Sequence, residues 1–254
     1  MYNLFCTLLV SLLMMSCSVD HKSVYHNDET QSTQIETNLK EFLAMYNAFA
    51  GEEDADFNKS LEDLKKIPNE WTTVYKAGSE IFDDAETPKK ETDTVRMMKK
   101  VYIKSDYDGD EYKGLSVKYD RMEAKYVNIW NAFLMSDENS FKLPTSAFSE
   151  MKNKKMVIST ADFVSPEIKR MLVQSVSENE EQSQEQLKYI LKIFDVSINN
   201  ELYFENKIKS VQGKHDWVTQ KDDHTLIVNY KLSHLFDPEK TPKQTDQKII
   251  VTTE

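Results

Sequence analysis

The stretch on which the predicted fold depends is TQIETNLKEFLAMYNAFAG, residues 33–51. Its apolar side chains recur at the spacing of one helix face, at Ile35, Leu39, Phe42, Leu43, Tyr46 and Phe49. Thr33-Gln34-Ile35-Glu36 has the form of a capping box, in which a threonine and a glutamate satisfy the first free backbone N–H groups. We therefore predict an amphipathic helix that begins near Ile35 and ends at Gly51.

Two further helices are predicted directly after this one. The first carries Phe57, Leu61 and Leu64 on one stripe and ends before Pro68. The second carries apolar residues on one face over residues 71–82. Because the connections are short, the three helices should pack as neighbours in a helical region over residues 35–83.

Strands are predicted in the rest of the chain, where apolar and polar residues alternate. Residues 115–119 and 225–232 alternate in this way, and residues 248–253 form a last strand. Asn199-Asn200 suits a tight hairpin turn. The predicted fold class is therefore α+β, with an N-terminal helical hairpin or bundle, a mixed region and a C-terminal antiparallel sheet. Residues 95–254 form the α+β region, in one domain with residues 35–83 or in a second one.

Residues 1–16 have the features of a secretory signal peptide. The apolar run from Leu4 to Met15 is shorter than the roughly 20 residues that a spanning helix needs, but it suits the apolar core of a signal. Met14-Met15-Ser16-Cys17 resembles the lipobox of bacterial lipoproteins, in which a small residue precedes the cysteine. The resemblance covers these four residues. It implies that Cys17 becomes the mature N-terminus and carries fatty-acyl groups such as palmitate, which would hold the protein on a membrane.

Two alternatives remain for this segment. Cleavage after Ser18, with Ser16 and Ser18 as the small residues, would release a soluble secreted protein; the other alternative is an uncleaved hydrophobic helix. The cysteine count favours lipidation, because Cys6 would be lost with the signal and Cys17 would be the single cysteine of the mature chain. The polar residues 17–34 would then form a flexible spacer between the lipid and the fold.

The composition limits the partners and cofactors of the chain. A net charge of −11 repels phosphate, so no nucleic-acid partner is expected, whereas a cationic protein would be attracted. The five glycines form neither a dinucleotide-binding motif nor a P-loop. The sequence therefore predicts no cofactor.

One acidic cluster invites comparison with a calcium-binding loop. Asp106, Asp108, Asp110 and Glu111 surround Gly109. The EF-hand spacing fails, because the glycine comes too early in the loop and a valine stands where the last glutamate ligand is needed. We therefore expect a solvated turn.

Three histidines in the last third of the chain form the other candidate cluster. His215, His224 and His234 lie beside aspartates, but no pair has the spacing of a zinc-binding HExxH helix. We expect surface histidines, and we assign no metal site and no catalytic residue.

These features together predict a lipid-anchored protein of the bacterial cell envelope, at the outer membrane or cell surface rather than the inner membrane. We expect a non-enzymatic binding module for another protein, for example with an immunity-type role or as an accessory factor of envelope assembly. One alternative is a metal-dependent envelope hydrolase that uses His215, His224 and His234. The other is a structural or surface antigen without a specific ligand.

Overall fold

The computed structural model of the chain describes residues 18–40, 43, 61–80, 90–134, 151–160, 163, 197–235, 239–240 and 242–254. The chain forms two compact units. Unit 1 comprises Met1–His21 and Thr30–Ser140, and unit 2 comprises Lys22–Glu29 and Phe141–Glu254. Most of the described residues belong to β-strands.

The described part of the chain contains eleven strands, which are β1 (Ser18–Tyr25), β2 (Gln31–Asn38), β3 (Thr72–Thr73), β4 (Tyr102–Asp108), β5 (Glu111–Met122), β6 (Lys155–Ser159), β7 (Ser197–Phe204), β8 (Ile208–Gln212), β9 (Val218–Gln220), β10 (Thr225–Lys231) and β11 (Lys248–Thr253). Its helices are α1 (Val74–Glu80), α2 (Asp93–Met98), α3 (Ala124–Leu134) and the 3-10 helix Leu232–Leu235. Residues 61–65 also adopt a helical conformation. The strands form an eight-stranded sheet in the order β3-β4-β5-β2-β1-β7-β10-β9 and a three-stranded sheet in the order β6-β11-β8.

The predicted fold class, α+β with an N-terminal helical bundle, is wrong, because the described chain is mostly β. The residues of the predicted capping box lie in β2, which pairs antiparallel with β5 and places Ile35 opposite Val117. Thr33, Ile35 and Thr37 are all buried, which is the two-residue period of a strand with one covered face. The β-branched residues favour the pleated backbone, and pairing with β5 satisfies the backbone groups that a helix cap would otherwise serve.

Helical structure does follow β2, but it begins later than predicted. The Leu43 N–H donates to the Leu39 carbonyl at 2.8 Å, which is the spacing of an α-helical hydrogen bond. Of the second predicted helix, the described residues 61–65 are helical. The third begins later than predicted, because β3 precedes α1. Six residues that carried these predictions lie outside the described part: Phe42, Tyr46, Phe49, Phe57, Ile81 and Phe82.

Residues 18–34, predicted as part of a flexible spacer, instead contain β1 and the start of β2. Every second side chain of β1 is buried, namely Val19, His21, Ser23 and Tyr25. Two of these four are polar, so the alternation is not visible as a hydrophobic pattern. Residues 18–25 are therefore part of the fold and not of a flexible spacer.

Unit 1 has a core built from its strands and from helices α2 and α3. Met97 on α2, Trp130 on α3 and Ile103 on β4 are at most 2% exposed. Thr92 directly precedes helix α2 and caps it, because its hydroxyl accepts the Val95 N–H at 3.2 Å.

Unit 2 contains β10 paired antiparallel with β7 on one side and β9 on the other. The strands predicted near residues 225–232 and 248–253 are present as β10 and β11. They belong to different sheets, however, because β11 pairs with β6 and β8. Asn199-Asn200 is not a turn: it lies inside β7, where the buried Asn200 amide donates to the Val228 carbonyl at 3.1 Å.

Candidate functional site

The sequence-predicted lipidation site, Cys17, lies outside the described residues. Its neighbour Ser18 is the first residue of β1. Strands β1 and β2 are neighbours joined by residues 26–30, a connection too short for parallel strands. They therefore run antiparallel, and the start of β1 lies beside the end of β2 at Asn38.

The acidic cluster that resembled a calcium loop lies on the β4–β5 hairpin, where lysines partner two of its carboxylates. Asp106 Oδ1 is 2.5 Å from Lys104 Nζ, and the same carboxylate accepts the Ser116 hydroxyl. Asp108 Oδ2 is 2.7 Å from Lys40 Nζ. The described residues hold no group of three or more His, Cys, Asp or Glu side chains placed to bind a metal ion.

The three histidines of the hydrolase alternative have separate structural surroundings. His215 Nδ1 accepts the Trp217 N–H at 3.2 Å, and the ring packs edge-on against Phe163 with centroids 5.6 Å apart. His224 Nδ1 lies 2.8 Å from the Phe204 carbonyl. His234 lies in the 3-10 helix.

The aspartates beside these histidines accept hydrogen bonds from backbone N–H groups. Asp216 Oδ2 accepts the N–H groups of Lys243 and Gln244 at 2.6 and 3.2 Å, and these bonds lower the pKa of Asp216. Asp222 Oδ1 accepts the His224 N–H at 2.8 Å, which lowers the pKa of Asp222 in the same way. These carboxylates stabilise local loops.

The candidate functional site is a cleft of about 400 Å³ in unit 1, beside the β4–β5 hairpin. This volume is in the range of small-ligand sites. The cleft is lined by Lys40, Leu43, Leu61, Lys65, Tyr107, Asp110, Glu111 and Tyr112. Leu43 and Tyr112 are less than a tenth exposed, whereas the side chains of Lys40 and Glu111 are about half or more exposed. The lining is thus apolar where it is buried and charged where it meets solvent.

Hydrogen bonds hold the walls of the cleft together. The Ser105 hydroxyl donates to the Leu64 carbonyl at 2.9 Å, and the Ser105 N–H donates to the Pro68 carbonyl at 2.9 Å. The Tyr107 hydroxyl donates to the Lys65 carbonyl at 3.2 Å. Residues 61–68 are therefore fixed along β4, and one wall is preorganised by the sheet.

Two tyrosines form the aromatic part of the lining. Tyr107 packs edge-on against Tyr112, with ring centroids 5.6 Å apart. Burial raises the pKa of Tyr112, and the Ser105 hydroxyl partly offsets this rise. The buried Tyr112 hydroxyl lies near the Ser105 hydroxyl but makes no hydrogen bond of standard geometry with a described residue.

Carboxylates outnumber cations at the mouth of the cleft. Lys40 Nζ lies 2.7 Å from Asp108 Oδ2 and 3.7 Å from Glu111 Oε2. The hydrogen bond with Asp108 raises the pKa of Lys40 and lowers the pKa of Asp108. Asp110 forms no ion pair with any residue that the structure describes. Lys40 is therefore shared by two carboxylates, and Lys65, the other lysine of the lining, pairs with Glu62.

This local acidity is distinct from the net charge of the chain. Basic and acidic side chains nearly balance among the described residues, so the excess of acids that gives −11 comes from the rest of the sequence. Within the described fold, Asp108, Asp110 and Glu111 form a local negative site at the β4–β5 hairpin.

Sequence reasoning found only part of this site. Asp110 and Glu111 were noticed as acids in a turn, but the two lysines and two tyrosines of the lining were missed. Lys40 and Lys65 belong to segments predicted as consecutive helices, which placed them away from the hairpin. One signal in the sequence could have indicated the site. Tyr107 and Tyr112 lie on either side of the glycine turn, at a spacing typical of a cross-strand aromatic pair.

No protein-family model matches the chain, and no curated protein matches it. Among solved structures, the chain is similar to the folded domain of LppM from Mycobacterium tuberculosis, determined by NMR. The identity is 11% and the TM-score is 0.38, over 94% of this chain and 91% of that chain. A similarity this weak carries no argument about the fold or the function.

The helices that the structure describes are all too short or too polar to cross a membrane.

Proposed function

We propose that the protein is a lipid-anchored protein of the bacterial cell envelope, attached through Cys17, and that its folded part is a non-enzymatic binding module for another protein. The observation that supports this proposal best is that Ser18 and Val19, directly after the cysteine of the lipobox-like sequence, belong to β1. A signal removed before Cys17 would leave every described residue of β1 in the mature protein.

The burial of Val19 favours this cleavage over the alternative after Ser18. Val19 is 5% exposed in β1. Cleavage after Ser18 would place a charged α-ammonium group on this buried residue, and a buried charge without a partner is costly. Lipidation of Cys17 would leave that position as an ordinary peptide bond.

The binding function is supported by the cleft and its excess of carboxylates. A preformed recess with buried apolar side chains and exposed charges is the usual form of a recognition site. Its negative charge suits a cationic protein partner, and the acidic remainder of the chain would increase the rate of encounter. An immunity-type role and an accessory role in envelope assembly both fit such a module.

Intact-mass measurement of the protein from the membrane fraction tests the anchor. We expect a mass that begins at Cys17 and includes acyl chains, and we expect a Cys17→Ser variant to lose both the acyl mass and the membrane association. A mass that begins at Val19 would refute the anchor.

Affinity capture from solubilised envelopes tests the binding function. We expect a protein partner that is retained at low salt and released at high salt, because exposed charge pairs are screened by salt. Retention that is independent of salt would contradict a charge-based association, and capture of no protein would contradict the binding module.

A further inference from the structure

We propose that the cleft beside the β4–β5 hairpin takes a lysine or arginine side chain from a short apolar and basic segment of the protein partner. This inference rests on the proposed binding function and names its site. The cationic group would lie among Asp108, Asp110 and Glu111, and the apolar neighbours of the segment would pack against Leu43 and Leu61.

The first argument is the charge at the mouth of the cleft. Asp110 has no ion-pair partner among the described residues, and Asp108 and Glu111 share Lys40. An added cation would therefore meet carboxylates that the protein leaves incompletely neutralised. A guanidinium could make two parallel hydrogen bonds to one of them.

The second argument is Lys40 itself, which shows that a cation fits this position. Its side chain reaches from the end of β2 to the hairpin and lies within ion-pair distance of two carboxylates. The Lys40 side chain is 49% exposed, and so it can be displaced at small cost. Lys40 thus occupies part of the position that we assign to the partner's cation.

The third argument is the buried part of the lining. A lysine or arginine side chain has an aliphatic stem that prefers an apolar surface while its charged end stays in a polar one. Leu43 and Tyr112 offer that surface below the charged mouth, beside the more exposed ring of Tyr107. The Tyr112 hydroxyl, which lacks a standard hydrogen bond with a described residue, could serve a backbone group of the bound segment.

The same charge distribution argues against a phospholipid headgroup. A lipid phosphate would be repelled by the excess of carboxylates, and Lys65 is already bonded to Glu62 Oε1 at 2.8 Å. The cleft lies at the end of the sheet where β1 begins, and the first described residue of β1 directly follows the proposed anchor. We therefore expect the partner's segment to lie near a membrane surface, next to a membrane-spanning or lipid-anchored part of that partner.

Isothermal titration with short peptides tests the site directly. The probes are acetyl-GLKLKG-amide and its acidic counterpart acetyl-GLELEG-amide, added to the full mature protein in a non-ionic detergent. We expect saturable binding of the lysine peptide alone. The double variant Asp110→Asn with Glu111→Gln should weaken this binding about fivefold, as expected for the loss of exposed charge pairs.

The matched control is Glu123→Gln, which removes an exposed carboxylate outside the cleft that lies 3.7 Å from Lys100. It should leave the Kd of the lysine peptide unchanged within about twofold. Equal effects of the control and of the double variant would overturn the site, because they would show a response to total charge only.

Removal of the internal cation gives a test in the opposite direction. Lys40→Gln should tighten binding of the lysine peptide about threefold, because Lys40 would no longer compete with the peptide for Asp108 and Glu111. The control is Lys99→Gln, since Lys99 forms a similarly exposed pair with Glu91 at 2.9 Å outside the cleft. Weaker binding by Lys40→Gln would contradict the proposal.

Two further outcomes separate this inference from the proposed function. If the natural partner is captured in a salt-dependent manner but the double variant captures it equally well, the binding function stands and the cleft is the wrong site. If phosphatidylethanolamine vesicles bind, and the cleft variants change this binding as expected for the lysine peptide, the occupant is a lipid and the inference is wrong.

Discussion

The Thr37 hydroxyl bridges both backbone groups of Leu115, donating to its carbonyl and accepting its N–H, each at 2.9 Å. The side chain thus takes the place of a backbone rung between β2 and β5. We expect Thr37→Val to leave two buried backbone groups of Leu115 unsatisfied and to destabilise the protein by about 2 kcal/mol. Urea unfolding measures this loss, and Thr72→Val on the short edge strand β3 is the control. Equal stability of the two variants would contradict the bridging role.

The close approach of β2 and β5 at Gly114 gives the second prediction. A Cβ atom on Gly114 would lie 2.1 Å from the Thr37 carbonyl oxygen, which belongs to the backbone and cannot move alone. Gly114→Ala should therefore cost about 3 kcal/mol or reduce the yield of folded protein.

Gly78→Ala is the matched control for this clash. Gly78 lies in α1, and its added Cβ would meet no atom within 4 Å. We expect a gain of roughly 0.5–1 kcal/mol there, from the loss of backbone freedom in the unfolded chain. Thermal melting of both variants should give shifts of opposite sign; a folded Gly114→Ala variant with unchanged melting would refute the clash.

His215 should make the stability of the protein depend on pH. Burial lowers the pKa of His215 below the usual histidine value of about 6.5, although Asp216 and Asp246 act in the opposite direction. Since the folded state binds this proton less readily than the unfolded state, the contribution of neutral His215 is complete above about pH 6.5 and declines as the pH falls below it. Protonation also removes the acceptor of the Trp217 N–H.

The measurement for this prediction is the urea midpoint between pH 7.5 and 5.5, for the wild type and for His215→Phe. Phenylalanine keeps a ring against Phe163 but cannot titrate. We expect the wild-type midpoint to fall more steeply over this range. Parallel curves would exclude His215 as the titrating group.

The ring of Trp71 is covered by the cation of Lys118, whose Nζ lies 4.1 Å from the ring centroid. Lys118→Met keeps the aliphatic stem and removes the charge, and we expect a loss of about 0.5–1 kcal/mol. Lys113→Met, at an exposed position of the same strand, should change stability by less than half of that. Denaturant unfolding followed by tryptophan fluorescence compares the two.

The strands that alternate between apolar and polar residues could be predicted from sequence, and those with buried polar residues could not. Strand β10 was predicted correctly because its buried residues Leu226, Val228 and Tyr230 are all apolar. Strand β1 buries His21 and Ser23, so its alternation of buried and exposed residues cannot be recognised from the apolar residues alone. The partners of a buried polar residue come from distant strands, and a local pattern does not contain them.

The helix prediction for the segment around Ile35 was wrong for a different reason. Ile35 and Leu39 are spaced by four residues, which fits a helix, but Ile35, Thr37 and Leu39 also fit a strand when threonine is counted as buried. The chain changes from strand to helix near Leu39, so one apolar series runs across two kinds of structure. The cleft depends on this change of direction, because it brings Lys40 and Leu43 to the hairpin.

The position of β1 in the sheet order has a consequence for the timing of folding. This strand lies between β2, which follows it directly, and β7, which comes from the last quarter of the chain. The Glu205 N–H, just after β7, donates to the Tyr25 carbonyl at 3.0 Å at the end of β1. The first described strand therefore keeps one open edge until β7 has been synthesised. A nascent chain, or one truncated before β7, would expose that edge to the strands of other molecules.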